Sequence, residues 1–268
     1  MLFLIFILLG VVVGILSGLL GVGGGFIVVP ALIYAFDYLN ISEEFAVKMA
    51  FGTSLFVVFI TSLVGAYKHS KLKNVDWKSA VIMGIMGMIG SYISGTIVVN
   101  YLSGELLRTI FGIVLIAISI NMINYPKIKE VGDFVRPNLI YLLISGFLIG
   151  IFTGMVGLGG GVMAIPVMVL FLKFPIKKAI GTSLGMIILT SFGGLIPYLS
   201  ADPNINLSQS LYCVGYVSLL VGLCIAIPSA TFSSYGVKLS TKLDVRVLRR
   251  IFGVILFLVG LDLILNIN

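Results

Sequence analysis

A glycine-rich phrase occurs twice in this chain, and each copy interrupts an apolar run of awkward length. The first copy reads Gly14-Ile15-Leu16-Ser17-Gly18-Leu19-Leu20-Gly21-Val22-Gly23-Gly24-Gly25, and the second Gly150-Ile151-Phe152-Thr153-Gly154-Met155-Val156-Gly157-Leu158-Gly159-Gly160-Gly161. A proline follows each at the same offset, Pro30 and Pro166. The runs that hold them, residues 2–36 and 138–171, are about 35 residues each, against about 20 for one crossing of a bilayer. A helix broken in lipid must hide its freed backbone groups inside protein. Two such breaks at corresponding points of one chain predict transport.

The surroundings of the breaks are membrane-like throughout. Of 268 residues, 59% are hydrophobic and 10% charged, and mean hydropathy is +1.20. That composition excludes a soluble enzyme domain and leaves one integral membrane unit. No lysine or arginine precedes the first apolar run and no small-x-small site follows it, so a removable signal peptide is not expected. The net charge of +7 comes from short loops beside apolar spans, which argues against nucleic acid. Cys213 and Cys224 fall within one apolar stretch and His69 in a basic loop, so neither a metal site nor a cofactor is expected.

Six ordinary spans are predicted over residues 45–67, 77–99, 105–124, 176–198, 209–232 and 247–267. Loops 68–78, 125–136, 172–178 and 236–250 hold all 17 lysines and arginines except Lys48 and Arg108. The positive-inside rule makes these loops cytoplasmic. Loops 37–44 and 199–208 then lie outside, the first with Asp37, Glu43 and Glu44, the second with Asp202. Since loops 125–136 and 172–178 are both inside, the run between them must enter and leave on one face, as a hairpin. A single tilted, kinked crossing would set those basic loops on opposite sides, against the charge bias.

The expected architecture is therefore all-α integral membrane, with two inverted-topology repeats. Each is a glycine-broken helical hairpin plus three transmembrane helices. Residues 1–125 form the first repeat with hairpin 2–36, residues 126–136 a cytoplasmic linker, and residues 137–268 the second repeat with hairpin 138–171. An odd number of crossings per repeat inverts the second copy and leaves both termini outside a multi-pass plasma-membrane protein. Other segments recur in matching order: Lys48-Met49-Ala50-Phe51-Gly52-Thr53-Ser54-Leu55 with Lys177-Lys178-Ala179-Ile180-Gly181-Thr182-Ser183-Leu184, and Leu107-Arg108-Thr109-Ile110-Phe111-Gly112 with Leu248-Arg249-Arg250-Ile251-Phe252-Gly253.

The doubled glycine phrase, each copy followed by a GTSL segment, resembles the TauE/SafE family of sulfite exporters and related permeases. The resemblance covers almost the whole chain. It implies a membrane transporter of small sulfur-containing anions, such as sulfite, thiosulfate or sulfoacetate, with export following from the family name alone.

The residues suggest how an anion would be held. A half-helix that starts inside the membrane presents unpaired N–H groups and the positive end of its dipole. Gly23, Gly24, Gly25 and Gly159, Gly160, Gly161 would let an oxyanion approach that backbone, at hairpin tips expected to meet. Thr53, Ser54, Thr182 and Ser183 would add uncharged hydrogen-bond donors, with Ser17 and Thr153 one turn before the glycines. The same small residues also line ordinary helix interfaces. Lys48 and Lys177 are candidate anion attractors at the two mouths, or interface lysines that snorkel. Asp262, near the end of the last span, reads as interfacial. The expected partners are a small anion and the lipid bilayer, with a homodimer left open. Two other classes compete: a channel with a backbone-carbonyl filter, and a membrane scaffold with no cargo. A nucleotide loop is excluded, because no GK[ST] follows the glycines.

Overall fold

The computed structural model describes residues 2–123, 136–202, 212–240 and 245–265. The described chain is helical apart from one two-stranded ribbon. Its helices are α1 (Leu2–Leu20), α2 (Gly25–Tyr38), α3 (Glu43–Lys71), α4 (Trp77–Tyr101), α5 (Gly104–Ile123), α6 (Leu139–Val156), α7 (Gly161–Pro166, continued as a π-turn over Val167–Phe171), α8 (Ile176–Ser200), α9 (Leu219–Ser240) and α10 (Val245–Leu265). Strands β1 (Cys213–Val214) and β2 (Val217–Ser218) pair antiparallel just before α9. Helices α1, α3, α4, α6, α8 and α9 are each long and apolar enough to cross a bilayer. The protein is an all-α integral membrane protein.

Local sequence explains the helix ends. Glu43 and Glu44 open α3 while Lys68, His69 and Lys71 close it, both matching the helix dipole. Asp76 caps α4, accepting hydrogen bonds from the Ser79 amide and hydroxyl. Arg136 pairs with the same carboxylate at 2.6 Å. Burial alone would raise the Asp76 pKa, but the hydrogen bonds from Arg136 and Ser79 outweigh it and hold the carboxyl below its usual value. Gly157, with φ of 70°, ends α6 by returning its amide to the Thr153 carbonyl. The two prolines act differently: α2 remains α-helical through Pro30 to Tyr38, whereas the helix after Pro166 widens into the π-turn.

Packing between helices runs through spaced glycines. Gly10, Gly14 and Gly18 on α1 lie directly on the α9 backbone at Ile225, Ser229 and Ser233. Gly146, Gly150 and Gly154 on α6 lie in the same way on α4 at Met83, Gly87 and Ser91. A β-carbon on Gly14 would stand 2.8 Å from the Ser229 Cα, and one on Gly146 2.7 Å from the Met83 Cα. Between lipid-soaked helices such backbone contact replaces a hydrophobic drive. Helices α3 and α8 form the enclosed centre and pack on each other, as α5 and α10 do. The partnership of α1 with α9 thus corresponds to that of α6 with α4, the halves exchanged.

The observed elements depart from the expected ones in three places. The span expected over 209–232 lies over Leu219–Ser240 instead: Cys213 belongs to β1, and the left-handed Gly215 (φ 57°) turns the ribbon. An apolar run reads alike as strand or helix, which is why the boundary moved. Cys213 and Cys224 therefore do not share a helix. His69 is not in a loop but in the last turn of α3, 2% exposed. The expected linker 126–136, apart from Arg136, and the outside loop 199–208 beyond Asp202 lie outside the described residues.

The Asp76 cap carries a prediction. Asp76→Ala removes the cap and the Arg136 pair, and should lower stability in detergent by about 1 kcal/mol, the solvent-exposed Arg136 adding little. Because the folded carboxyl titrates below its unfolded value, this contribution is present above the unfolded pKa and fades as pH falls through the folded one. Thermal unfolding of wild type and variant should therefore converge in acid; a gap that widens in acid would contradict the assignment.

Candidate functional site

Each glycine phrase folds as a reversal with one long and one short leg. The end of α1 lies against the lysine-bearing ends of α3 and α8: the Gly18 carbonyl accepts from His69 Nε2 at 3.1 Å, and the Gly21 carbonyl from the Ser183 hydroxyl at 2.8 Å. From there the chain turns back. Gly23 sits beside Val58 and Ile187, which lie halfway along α3 and α8. Gly24, at φ 88°, lies against Val13 and Ser17 of the helix just left. A side chain there would be strained by the left-handed backbone as well as by Val13. Helix α2 then starts at Gly25, where a β-carbon would stand 2.8 Å from the Leu158 carbonyl oxygen of the other turn.

The second phrase makes the matching contacts at the opposite ends of the same two helices. The Gly154 carbonyl accepts from the Tyr198 hydroxyl at 2.9 Å, and the Gly157 carbonyl from the Ser54 hydroxyl at 2.9 Å. Gly159 also meets Val58 and Ile187, Gly160 (φ 80°) folds back on Ile149 and Thr153, and a β-carbon on Gly161 would stand 2.6 Å from the Val22 Cα. The two turns therefore cross in direct backbone contact at the middle of α3 and α8.

Hydrogen bonding at the crossing is one-sided. The carbonyls of Gly18, Gly21, Gly24, Gly154, Gly157 and Gly160 all accept hydrogen bonds, and Thr190 Oγ1 reaches the Gly159 carbonyl at 3.4 Å. By contrast, the amides of Val22 to Phe26 and of Leu158 to Val162 meet no acceptor among the described residues. All of these residues except the half-buried Val162 are buried. Buried amides without partners are rare, because each forfeits a hydrogen bond that water would have given. Two of the helices begin here, so the uncompensated charge is positive.

The hydroxyls proposed from sequence are near the turns but already engaged. Ser54 and Ser183 each clamp the carbonyl of the other half's turn. Thr53 Oγ1 accepts from the Ser218 amide at 3.0 Å, and Thr182 Oγ1 from the Asp76 amide at 3.0 Å. Thr153 returns its hydrogen bond to Ile149 within α6, whereas the Ser17 hydroxyl is buried without a partner among the described residues. Lys48 is 5% exposed; its ammonium bonds Glu44 at 2.6 Å and the Val99 carbonyl at 3.3 Å, tying α3 to α4. Lys177 stands exposed at the start of α8. Asp262 accepts from the Tyr34 hydroxyl at 2.6 Å, which joins α10 to α2.

Five residues at the turns were not among the candidates read from sequence: Val58, His69, Ile187, Thr190 and Tyr198. One signal was there to find. Thr61-Ser62 and Thr190-Ser191 stand at the same offset after Gly52 and Gly181, so the repeat runs further than the GTSL segment. Beside the crossing lies an apolar cavity of about 110 Å³ between Val22, Val162, Pro166 and Ile118 of α5.

Thr182 offers a clean test of the clamps. Thr182→Val leaves the Asp76 amide without its acceptor and should cost about 1–3 kcal/mol, while Thr182→Ser should cost much less. Equal melting temperatures for the two variants would contradict the role given to this hydroxyl.

The family described as sulfite exporter TauE/SafE matches residues 6–263. A probable membrane transporter protein of Methanocaldococcus jannaschii is 42% identical over 97% of this chain and 94% of its own. The probable membrane transporter protein YunE of Bacillus subtilis is 29% identical over 98% of this chain and 97% of its own. No solved structure matches. The chain belongs to the TauE/SafE family of membrane transporters.

Proposed function

We propose that this transporter exports a small sulfur oxyanion, sulfite or an organosulfonate, which binds at mid-membrane where the two glycine turns cross. The observation that carries this reading is the row of buried, unpartnered amides on each turn beside carbonyls that are already engaged. Free amides attract anions, whereas a cation filter would need free carbonyls. Trigonal or tetrahedral oxyanions suit several convergent N–H donors. In this conformation Val58 and Ile187 lie on Gly23 and Gly159, so the turns are closed to the solvent of either face.

The lysine-rich loops set the orientation of this reading: both termini outside a plasma-membrane protein, the repeats inverted, and Ser183 and His69 toward the cytoplasm. Ser54 and Tyr198 then latch the outer end. Alternating access would release one latch at a time, through rocking of one hairpin against α3 and α8. The cargo leaves chemically unchanged, so the protein acts without enzymatic catalysis.

Flux into proteoliposomes tests the proposal, with sulfite, thiosulfate, sulfoacetate, sulfate and carboxylates offered in turn. Saturable sulfur-oxyanion flux that ignores potassium is expected. Gly24→Ala and Gly160→Ala, which force a side chain onto a left-handed backbone, should lower it by about tenfold or more. Flux of none of these anions would favour a scaffold, and saturable potassium flux would favour a channel; either result overturns the reading.

A further inference from the structure

The single histidine stands where the two halves differ. His69 follows Gly52 at the same distance as Tyr198 follows Gly181. Each donates to a hairpin carbonyl, Gly18 for His69 and Gly154 for Tyr198. One bond suffices for the phenol, but imidazole has a second nitrogen. A carbonyl can only accept, so Nε2 carries the hydrogen, and Nδ1 of the neutral ring holds a lone pair. That Nδ1 is buried and has no partner among the described residues.

Other unpartnered atoms belong to the same seam between α1, α3 and α9. Ser17 Oγ and Ser233 Oγ are both fully buried and without partners. Ser17 precedes the Gly18 that His69 holds, and its Cβ adjoins Gly24 in the turn. Ser233 presses its carbonyl on Gly18, and its Oγ lies 3.2 Å from where a β-carbon on Gly65, one turn before His69, would stand. Ser91, which makes the corresponding contact in the other half, instead donates to the Thr190 carbonyl at 2.7 Å. Three of the four buried side-chain atoms without a partner among the described residues thus gather on the histidine side, the fourth being Arg108 Nε on α5, and buried water would be held there.

Charge around His69 is positive. Helix α1 has no ionisable side chain, and α9 brings Lys238, whose ammonium lies over the Tyr235 ring. Helix α8 brings Lys177 and Lys178, α3 itself Lys68 and Lys71, and the loop to α4 Lys73. The carboxylate on that loop, Asp76, is held by Arg136. Among the described residues at this end of the helices Asp76 is the one carboxylate, and Arg136 already pairs with it, so an imidazolium here would take its counter-charge from an anion.

We propose that His69 binds the proton that travels with the anion. Nδ1 is the acceptor, water held by Ser17 and Ser233 carries the proton to it, and the anion in the glycine turn supplies the counter-charge. Each ligand then tightens the other, as linkage requires. The coupling half of this proposal rests on the transporter reading; the proton site stands on His69 alone.

Because the chain has one histidine, carbon-13 imidazole NMR of the protein in nanodiscs reports His69 directly. The ring should pass from neutral to protonated as pH is lowered across the range in which the protein stays folded, with its midpoint moved to higher pH by added sulfite. An imidazole locked in one state across that range overturns the proton site, whether or not any anion moves. In proteoliposomes holding a pH dye, His69→Tyr keeps the hydrogen bond to Gly18 on the pattern of Tyr198, and His69→Gln keeps a donor. In both, the ratio of protons to sulfite moved should be lost, and an unchanged ratio in both overturns the coupling. Absent sulfite flux in the wild type, with a titrating ring, counts against the transporter reading alone.

Discussion

Buried backbone amides that meet no acceptor among the described residues set the terms for everything around them. Ten consecutive-run amides, from Val22 to Phe26 and from Leu158 to Val162, meet at one crossing. In hydrocarbon they could not be exposed, so the crossing must be wrapped by protein. Helices α3 and α8 supply that wrapping, α9 and α4 close on them, and the glycine faces of α1 and α6 lie in turn against α9 and α4. The fold reads as a housing for two short stretches of irregular chain. On the function proposed above, the ligand of that housing is a small anion.

The same geometry fastens the molecule separately at two ends. At one end, Gly18 and Gly21 are held by His69 and Ser183; at the other, Gly154 and Gly157 by Tyr198 and Ser54. Each hydrogen bond contributes about 1 kcal/mol net, so either end is fastened by about 2 kcal/mol. A difference of that size is within what bound ligand can shift between conformations. Stronger fastening would trap the carrier, and weaker fastening would let both ends open together.

Much of this arrangement was legible in the sequence, and the rest was hidden for identifiable reasons. The glycine phrases announced the breaks because no other residue type sits at Gly24 and Gly160 without strain, and their repetition announced the pairing. Lysines and arginines supplied the expected orientation of the spans. Depth was harder to read. The glycines were expected at the apex of each hairpin, yet the end of α1 passes beyond the middle and residues 21–24 return to it. That detour depends on contacts with His69 and Ser183, far away in sequence. The GTSL hydroxyls were expected to face the anion; in the structure Ser54 and Ser183 clamp the opposite turn, while Thr53 and Thr182 hold the Ser218 and Asp76 amides, contacts that only tertiary pairing reveals. His69 looked like one more loop base among lysines; burial at the seam made it distinctive.

The central claim, that the crossed turns hold an anion by their amides, is tested most directly by anomalous diffraction from crystals soaked in selenite, a heavier relative of sulfite. The account predicts an anomalous peak within about 3.5 Å of amide nitrogens in residues 22–26 or 158–162, absent from Gly24→Ala crystals. A selenium peak confined to the lysine-rich loops, with the crossing empty in a crystal that binds the anion, would contradict it.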